Sequence, residues 1–338
     1  MRRNLASATL LLLLTSSTLM ALDGHDARQL HALIVADTAD RNVGAMVDID
    51  GKNFYNLLTD EIPANRRGRV GVLKGNRVTK NELFQAIDQM PVQPNDSVFL
   101  YFTGHGAFVQ DQGQVLKMTD GEIVLRKTIL DHLKGKGARL TVLITDACSN
   151  IITSKLKLYA SMAEGIDHDV CRYLFFRHTG VVDLHAAAPG EEAIALKDIG
   201  SIFTHSLIAV LQQPNSAFQQ TPITWREVAG QVTDRTKERF RMEYESSRDF
   251  QLLFPGQTTQ TVKAAGLGEP IPVPIPKAQW RLGIRMVDAG GQGVRITEVF
   301  PHSQAEWAGI QVGEILFRVE TGRVDPQVTH IRTTADIG

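Results

Sequence analysis

Two residues with the chemistry of a nucleophile and its acid–base partner stand in distinctive contexts in this chain. His105 lies between two glycines in YFTGHGAF (101–108), and Cys148 follows an acid in LITDACSN (143–150). A nearby imidazole raises the thiolate fraction of a cysteine, and a thiolate attacks carbonyl carbon atoms. The imidazole can then protonate a leaving amine. If the fold brings these side chains together, they predict thiol-dependent acyl transfer.

The segments that lead into these two residues have the composition of buried strands. DSVFLYF (96–102) leads to His105, and RLTVLIT (139–145) leads to Cys148. Both are apolar without alternation, which is typical of strands covered on both faces. The same pattern recurs in LHALIVAD (30–37), RVGVLKG (69–75) and GVVDLHA (180–186). The sequence therefore predicts several strands of one buried sheet.

Helical patterns alternate with these strands. They cover residues 50–59, 79–89 and 126–133, and a long helix begins at about residue 224. Thr79 with Glu82, and Thr224 with Glu227, have the spacing of capping boxes at helix starts. Buried strands that alternate with helices predict an α/β fold, with a mostly parallel sheet flanked by helices.

Functional residues of such sheets lie just beyond the carboxyl ends of the strands. His105 and Cys148 occupy equivalent strand-end positions, so they face one cleft if their strands are neighbours. The amides of Gly106 and Cys148 would then stabilise a developing oxyanion. Two alternatives remain open. Cys148 could be a small buried hydrophobe with His105 a loop residue, or a disulfide to Cys171, the only other cysteine, could block the nucleophile.

Composition and the first residues restrict the class of protein. With 36 basic and 37 acidic residues in 338, the chain has no electrostatic footprint for nucleic acid, and we predict no such partner. Residues 1–21 contain two arginines and then an apolar run from Ala8 to Met20 that is too short to span a bilayer comfortably. This pattern predicts a signal peptide and export to the periplasm or the medium. The alternative is an uncleaved N-terminal membrane anchor.

The chain resembles the caspase-like cysteine proteases, and within them the bacterial metacaspase-like proteins. FLYFTGHGA and LITDACSN carry the resemblance, and HALIVADT, VDIDGKNFYNLL, VVDLHAAAPGEEA and SIFTHSLIAVL support it in the family's order. By this similarity His105 is the catalytic histidine and Cys148 the nucleophile. The resemblance implies a protein or peptide substrate and a peptidase domain over residues 29–262. It implies no cofactor: metacaspases include calcium-activated members, but no dedicated calcium loop is present here, and we assign no metal site.

The resemblance also implies a substrate preference. Metacaspases carry an aspartate two positions before the cysteine, as Asp146 does, and an acid at a pocket floor favours a lysine or arginine at P1. A second family acid at the start of the first helix corresponds to Asp50 or Asp48; we favour Asp50, and the alternative is that either one is an N-cap. Ala187 stands where the family often has a serine in the pocket. His185, nearby, is interpreted as a spectator.

A second resemblance concerns the C-terminal residues. GLGEPIPVPIPKAQ (266–279) is rich in proline, so we expect residues 263–279 to be a linker. Residues 280–338 resemble a small β-rich PDZ domain of the bacterial periplasmic type, with its last helix and strand missing or degenerate. The resemblance implies that the amides of Leu282, Gly283 and Ile284 bind a peptide carboxylate and that the following strand accepts a peptide ligand as an added strand.

Two functions of different classes follow from these patterns. In the first, the chain is an exported cysteine endopeptidase that cuts after Arg or Lys and uses the PDZ-like module to bind peptides or partners. In the second, the caspase-like domain is catalytically silent and the protein is a binding scaffold. His105, Asp146 and Cys148 occurring together favour the enzyme, since a silent domain has no chemical need for all three. An amidase or esterase that uses the same two residues is a third, weaker option.

Overall fold

The structure is a computed structural model. It describes residues 28–109, 111–147, 151–152, 169–213, 223–271, 284–290, 293–300, 305, 310–316, 318–321 and 327–330. The predicted signal peptide (1–21), Cys148 and residues 272–279 of the predicted linker lie outside these ranges.

A six-stranded sheet forms the centre of the fold. Its strands are β1 (Leu30–Ala36), β2 (Arg67–Lys74), β3 (Ser97–Gly104), β7 (Leu140–Ala147), β9 (His178–His185) and β12 (Lys263–Pro270). They lie side by side in the order β12-β9-β7-β3-β1-β2. All neighbouring pairs are parallel except β12 with β9, which is antiparallel. The predicted α/β fold with a mostly parallel sheet is confirmed.

Helices cover both faces of this sheet. They are α1 (Gly44–Glu61), α2 (Lys80–Asp88), α3 (Arg126–Lys134), α4 (Asp169–Phe176), α5 (Ile202–Leu211), α6 (Trp225–Ser246) and α7 (Arg248–Leu253), with short 3-10 turns at Ala64–Arg66 and Gly75–Arg77. The predicted caps are present: Thr79 accepts the amide of Glu82, and Thr224 forms a complete capping box with Glu227. Among the helices of the described ranges, none has the length and apolar character needed to cross a bilayer.

Two hydrophobic cores explain the continuous apolar runs of β1, β3 and β7, which are buried throughout. Alternate strand residues such as Ile34 and Tyr101 pack beneath helices α1, α4, α5 and α6 on one face. Their neighbours, such as Val35 and Phe102, pack against α2 and α3 on the other face. All eight residues of β3 and all eight of β7 are buried. These two strands therefore form a rigid base for whatever follows their carboxyl ends.

The described residues also form smaller sheets. β4 (Gly106–Val109), β5 (Gly113–Lys117) and β6 (Ile123–Leu125) form an antiparallel sheet after β3. β8 (Ile151–Ile152), β10 (Ala195–Leu196) and β11 (Gly200–Ser201) form a second small sheet, in which β10 is parallel to β8 and antiparallel to β11. In the C-terminal residues, β13 (Ile284–Asp288), β14 (Val294–Val299) and β15 (Ile315–Leu316) form a third, and β16 (Arg318–Thr321) pairs with β17 (Gln327–His330). These antiparallel pairs are compatible with a β-rich C-terminal module.

The structure differs from the predicted linker at its start. Residues 263–270 form β12, which pairs along β9 from Lys263 opposite His185 to Pro270 opposite His178. The strand approaches β9 closely at two glycines: a Cβ at Gly266 would lie 2.9 Å from the carbonyl oxygen of Val181. Backbone pairing, and not an apolar side-chain pattern, holds this strand. The caspase-like sheet therefore extends to Pro270, beyond the expected boundary at residue 262.

Helix α1 also differs from the expected bounds. It begins at Gly44, six positions before Asp50, because Met46 and Val47 already pack into a small apolar cluster with Val43 and Ala195. Asp48 and Asp50 both lie inside the helix. The hypothesis that either is an N-cap is therefore wrong.

Candidate active site

His105 lies at the junction of the central sheet and the first small sheet. It follows Gly104, the last residue of β3, and precedes Gly106, the first residue of β4. Its carbonyl oxygen accepts the amide of Lys117 at 3.0 Å, which fixes the backbone at this point. The parallel register of β3 with β7 pairs Gly104 with Ala147. The strand that delivers His105 therefore ends level with the strand that leads to Cys148, although Cys148 itself lies outside the described residues.

A cavity of about 870 Å³ opens at this end of the sheet. His105 and Gly106 line it, together with Ala187 from the segment that follows β9. The structure therefore brings three of the predicted site residues to one cavity. The other described lining residues are Phe108, Gln114, His185, Ala188, Pro189, Gly190, Glu191, Glu192, Lys263, Ala264 and Ala265.

A carboxylate that was not predicted as a site residue contacts the histidine. Asp40, in the loop between β1 and α1, places Oδ2 at 3.1 Å from Nε2 of His105. Its other oxygen, Oδ1, accepts the amides of Asn42 at 2.7 Å and Val43 at 3.0 Å. Burial opposes its ionisation, but these two amides and the adjacent His105 lower the pKa of Asp40. Asp40 is therefore held as an ionised acceptor beside the imidazole.

Asp50 and Asp146 lie together in the interior, next to this end of the sheet. Asp50 is 1% exposed and Asp146 is 4% exposed. Asp50 accepts the amide of Ser201 at 3.0 Å and the hydroxyl of Thr103 at 3.4 Å, and Thr103 is the register partner of Asp146. The two predicted pocket acids are thus neighbours, but the residues that line the cavity do not include them.

The hydroxyl of Thr204 connects this acid pair to the core. Thr204 donates to Oδ2 of Asp146 at 2.6 Å, and its own oxygen lies 2.6 Å from the hydroxyl of Tyr101. Thr204 and Ser201 belong to the start of α5, and a helix N-terminus favours negative charge nearby. Asp50 also lies so close to Gly200 that a Cβ at that position would clash with its carboxylate. The acids are therefore held by residues that leave no room for larger side chains.

Burial governs the ionisation of this pair. Burial raises the pKa of Asp146 to about 6, even though Ser201 and Thr204 donate to it. Burial, and then the charge of Asp146, raise the pKa of Asp50 well above its usual range. Two carboxylates in one dry site resist carrying two negative charges. A cation bound beside the pair would relieve this repulsion.

The comparison with protein families decides which fold family this site belongs to. The model of the caspase domain matches residues 31–253, which is more than half of the chain and includes His105, Asp146 and Cys148. The chain belongs to the caspase-like family of cysteine peptidases. A solved structure similar to it is the crystal structure of caspase-1 from Spodoptera frugiperda, with 12% sequence identity and a TM-score of 0.47. That match covers 72% of this chain and 91% of the insect caspase chain. No curated protein matches the chain.

In this caspase-family chain, a second cluster of charged side chains includes the cavity-lining residue His185. Arg126, the first residue of α3, forms a buried ion pair with Asp183 of β9, and its Nε donates to Thr145 at 2.8 Å. His185 lies 3.4 Å from the same carboxylate, and burial lowers the pKa of His185. His185 was interpreted as a spectator, yet it lines the cavity with His105. The sequence carried one signal for this, since His185 ends a buried strand beside β7.

The remaining predicted residues divide into three cases. Cys171 carries a buried free thiol whose pKa burial raises, so the proposed disulfide to Cys148 is not formed. Asp48 is partly exposed and pairs with Lys52 at 2.6 Å, so it does not join Asp146. In the C-terminal module, Leu282 and Gly283 lie outside the described residues, whereas Ile284 is buried and pairs with Val299 across β13 and β14.

Proposed function

We propose that this caspase-family protein is a metacaspase-like cysteine endopeptidase in which His105 and Cys148 form the catalytic dyad. The observation that carries the proposal is the register of β3 with β7, in which Gly104 lies beside Ala147, each immediately before one of the two residues. His105 also lines a cavity large enough for several side chains of a peptide. Family membership supports the same chemistry, because the family model spans both residues.

The proposed reaction follows from the chemistry of the two groups. The thiol proton of Cys148 passes to the imidazole of His105, and the thiolate attacks the peptide carbonyl carbon. The negative charge that develops on the carbonyl oxygen is stabilised by backbone amides, for which Gly106 and Cys148 are the candidates. When the C–N bond breaks, His105 returns the proton to the leaving amine, and water then hydrolyses the thioester.

The acid pair supports a preference for arginine or lysine at P1. Asp50 and Asp146 are buried side by side, and burial raises the pKa of each. A guanidinium that reached them would favour the doubly ionised pair and form charge-assisted hydrogen bonds. In this proposal Ala187, which lines the cavity, contributes an apolar surface where a serine would be more polar.

We further propose that residues 1–21 direct export and that the C-terminal residues bind peptides as a PDZ-like module. The second proposal is supported by β13, an edge strand of the described three-stranded sheet that pairs on one side with β14. An edge strand presents unpaired amides and carbonyls to an extended peptide. Leu282, Gly283 and Ile284 are the candidates for binding the peptide carboxylate.

The proposed function is tested with the chain lacking residues 1–21. Fluorogenic peptides ending in Arg, Lys, Asp or Leu are offered under reducing conditions, with and without calcium. We expect cleavage after Arg and Lys that is abolished in Cys148→Ala and His105→Ala and retained in Cys171→Ala. The last variant is the matched control, because the buried Cys171 thiol is the chain's only other cysteine.

Three outcomes would contradict parts of this proposal. Cleavage only after Asp or Leu would refute the role of the acid pair. Cleavage that survives Cys148→Ala would refute the dyad. If neither intact nor trypsin-nicked protein cuts any peptide, and Cys148 does not react with a thiol-directed probe, the protein is a catalytically silent scaffold.

A further inference from the structure

We propose that Asp40 is a positioning residue for His105, which it holds in the tautomer that carries its proton on Nε2. The inference rests on the proposed function, in which His105 is the proton carrier. It adds a third residue, a carboxylate from the β1–α1 loop, to the predicted pair. Asp40 contacts the histidine and is assigned no contact with substrate.

The two oxygens of Asp40 have separate partners. Oδ1 accepts two backbone amides at the start of α1, at 2.7 Å from Asn42 and 3.0 Å from Val43. Oδ2 is directed at Nε2 of His105 at 3.1 Å. Because the amides fix Oδ1, the direction of Oδ2 is set by the backbone before any substrate binds. This arrangement preorganises the imidazole at little cost in side-chain entropy.

Two carboxyl groups lie near the histidine, and of these it is Asp40 whose pKa is lowered. Asp37, at the end of β1, lies near the same histidine, but burial and the charge of Asp40 raise its pKa. The charges of His105 and of Lys117 in β5 oppose this rise. Asp40 itself has a pKa below its usual range. The carboxylate that faces His105 is therefore charged over the ordinary working range of pH.

An ionised carboxylate can only accept a hydrogen bond, so it selects the Nε2–H form of a neutral imidazole. Nδ1 then has the lone pair and is the nitrogen available to take the thiol proton. When that proton arrives, the ring becomes positively charged, and the adjacent carboxylate compensates the charge. The same logic explains how a carboxylate positions a catalytic histidine in other hydrolases.

The variant Asp40→Asn separates this role from a merely structural one. The amide oxygen of Asn can still accept the amides of Asn42 and Val43, so the start of α1 is retained. Its NH₂ group then faces His105 and, as a donor, requires the opposite tautomer with the proton on Nδ1. The matched control is Asp88→Asn, which makes the same change in the exposed pair of Asp88 with Nε2 of His132 at 2.7 Å.

Two readouts test the inference on the full chain without residues 1–21. Peptide hydrolysis by Asp40→Asn should show kcat reduced roughly 10- to 100-fold with KM within about twofold of wild type, and Asp88→Asn should match wild type in both. The ¹⁵N spectrum of histidine-labelled protein, assigned with His105→Ala, should show the Nε2–H form in wild type and the Nδ1–H form in Asp40→Asn.

The inference is overturned if Asp40→Asn retains wild-type kcat, or if His105 has the Nδ1–H form in wild type. Its failure is distinguishable from failure of the proposed function. If wild type cleaves no peptide, the proposed activity is lost, but the spectra still decide whether Asp40 sets the tautomer. If peptides are cleaved and the tautomer does not respond to Asp40→Asn, the activity stands and the positioning role falls.

Discussion

Two sets of aspartates lie near the carboxyl end of the same sheet in opposite environments. Asp40 is partly exposed, with 23% of its side chain accessible, and backbone amides lower its pKa. Asp50 and Asp146 are almost fully buried, and burial raises the pKa of both. The environment of Asp40 thus favours the ionised carboxylate, whereas the environment of Asp50 and Asp146 opposes ionisation.

In the proposed function, this difference separates two tasks. An acid that holds the histidine in one tautomer must stay ionised so that it acts only as an acceptor, and hydrogen-bond donors beside it favour that state. A pair that recognises a cationic side chain gains most if its charge is incompletely compensated until the ligand arrives. Titratable groups whose environments push their pKa values apart are characteristic of functional sites. Substitutions in and around the buried pair test this difference.

The largest expected effect comes from neutralising one acid of the buried pair. Asp146→Asn removes a carboxylate that would bind the substrate guanidinium, and losing one partner of a buried charge pair costs about 2 to 5 kcal/mol. We therefore expect kcat/KM for peptides ending in Arg to fall at least about 30-fold. The control is Asp48→Asn on the partly exposed face of α1, which should leave cleavage unchanged.

Equal losses in Asp146→Asn and Asp48→Asn would show that the buried pair has no special role in substrate choice. Measuring both variants with Arg, Lys and Leu peptides separates a loss of P1 recognition from a general loss of activity.

Asp146→Asn should also stabilise the fold, but only at pH values at which the wild-type carboxyl group ionises. The pKa of Asp146 is raised from 3.8 to about 6 in the folded state. As pH rises through this interval, the unfolded state releases the proton first, so the wild-type protein loses stability. Asp146→Asn avoids this loss and should gain about 2 to 3 kcal/mol in free energy of unfolding near pH 7, with little gain near pH 4. Urea denaturation at both pH values measures the difference.

A gain that is equal at both pH values would show that packing, and not ionisation, explains the stability of the variant. Loss of stability near pH 7 would mean that the charged form of Asp146 is the one the fold prefers.

A smaller effect tests the packing around the pair. Gly200 has φ of +76°, and a Cβ there would clash with the carboxylate of Asp50. Gly137 has a similar φ of +69° with nothing within 4 Å of an added Cβ. Gly137→Ala should therefore cost only the backbone strain, about 1 kcal/mol, whereas Gly200→Ala should cost roughly 1 to 3 kcal/mol more. Equal midpoints in urea would show that Asp50 moves aside freely.

Much of the central sheet was predictable from local composition. β3 and β7 are covered on both faces, so their sequences lack polar alternation, and the strands lie within two residues of the expected bounds. His105 and Cys148 were predicted as site residues from the rule that parallel sheets carry function at their carboxyl ends, whereas the role of Asp146 was implied by the family resemblance. The adjacency of Asp50 to Asp146 was implied by the family resemblance, and the burial of both acids is a result of the packing of α1 and α5.

Other parts of the fold and of the candidate site depend on contacts between residues that are distant in the sequence, which local composition does not reveal. KAAGLGEP, the sequence of β12, has glycines and a proline and no apolar alternation, because its stability comes from backbone pairing with β9 and from close approach at Gly266 and Gly268. Asp40 stands in a loop with the composition of an ordinary turn. Its proposed role rests on its contact with His105, which is distant from it in the sequence.

The direction of β12 has a consequence for the route of the chain. Lys263, where the strand begins, lines the cavity, and Pro270, where it ends, pairs with His178 at the start of β9. An antiparallel edge strand therefore carries the chain away from the cavity and releases it at the opposite margin of the sheet, where the amide of Ile271 is tied to the carbonyl of Arg177 at 2.7 Å. The polarity of this single strand therefore places Ile271, where the chain leaves the sheet, at the end opposite Lys263 and the cavity, and a parallel strand would have reversed this arrangement.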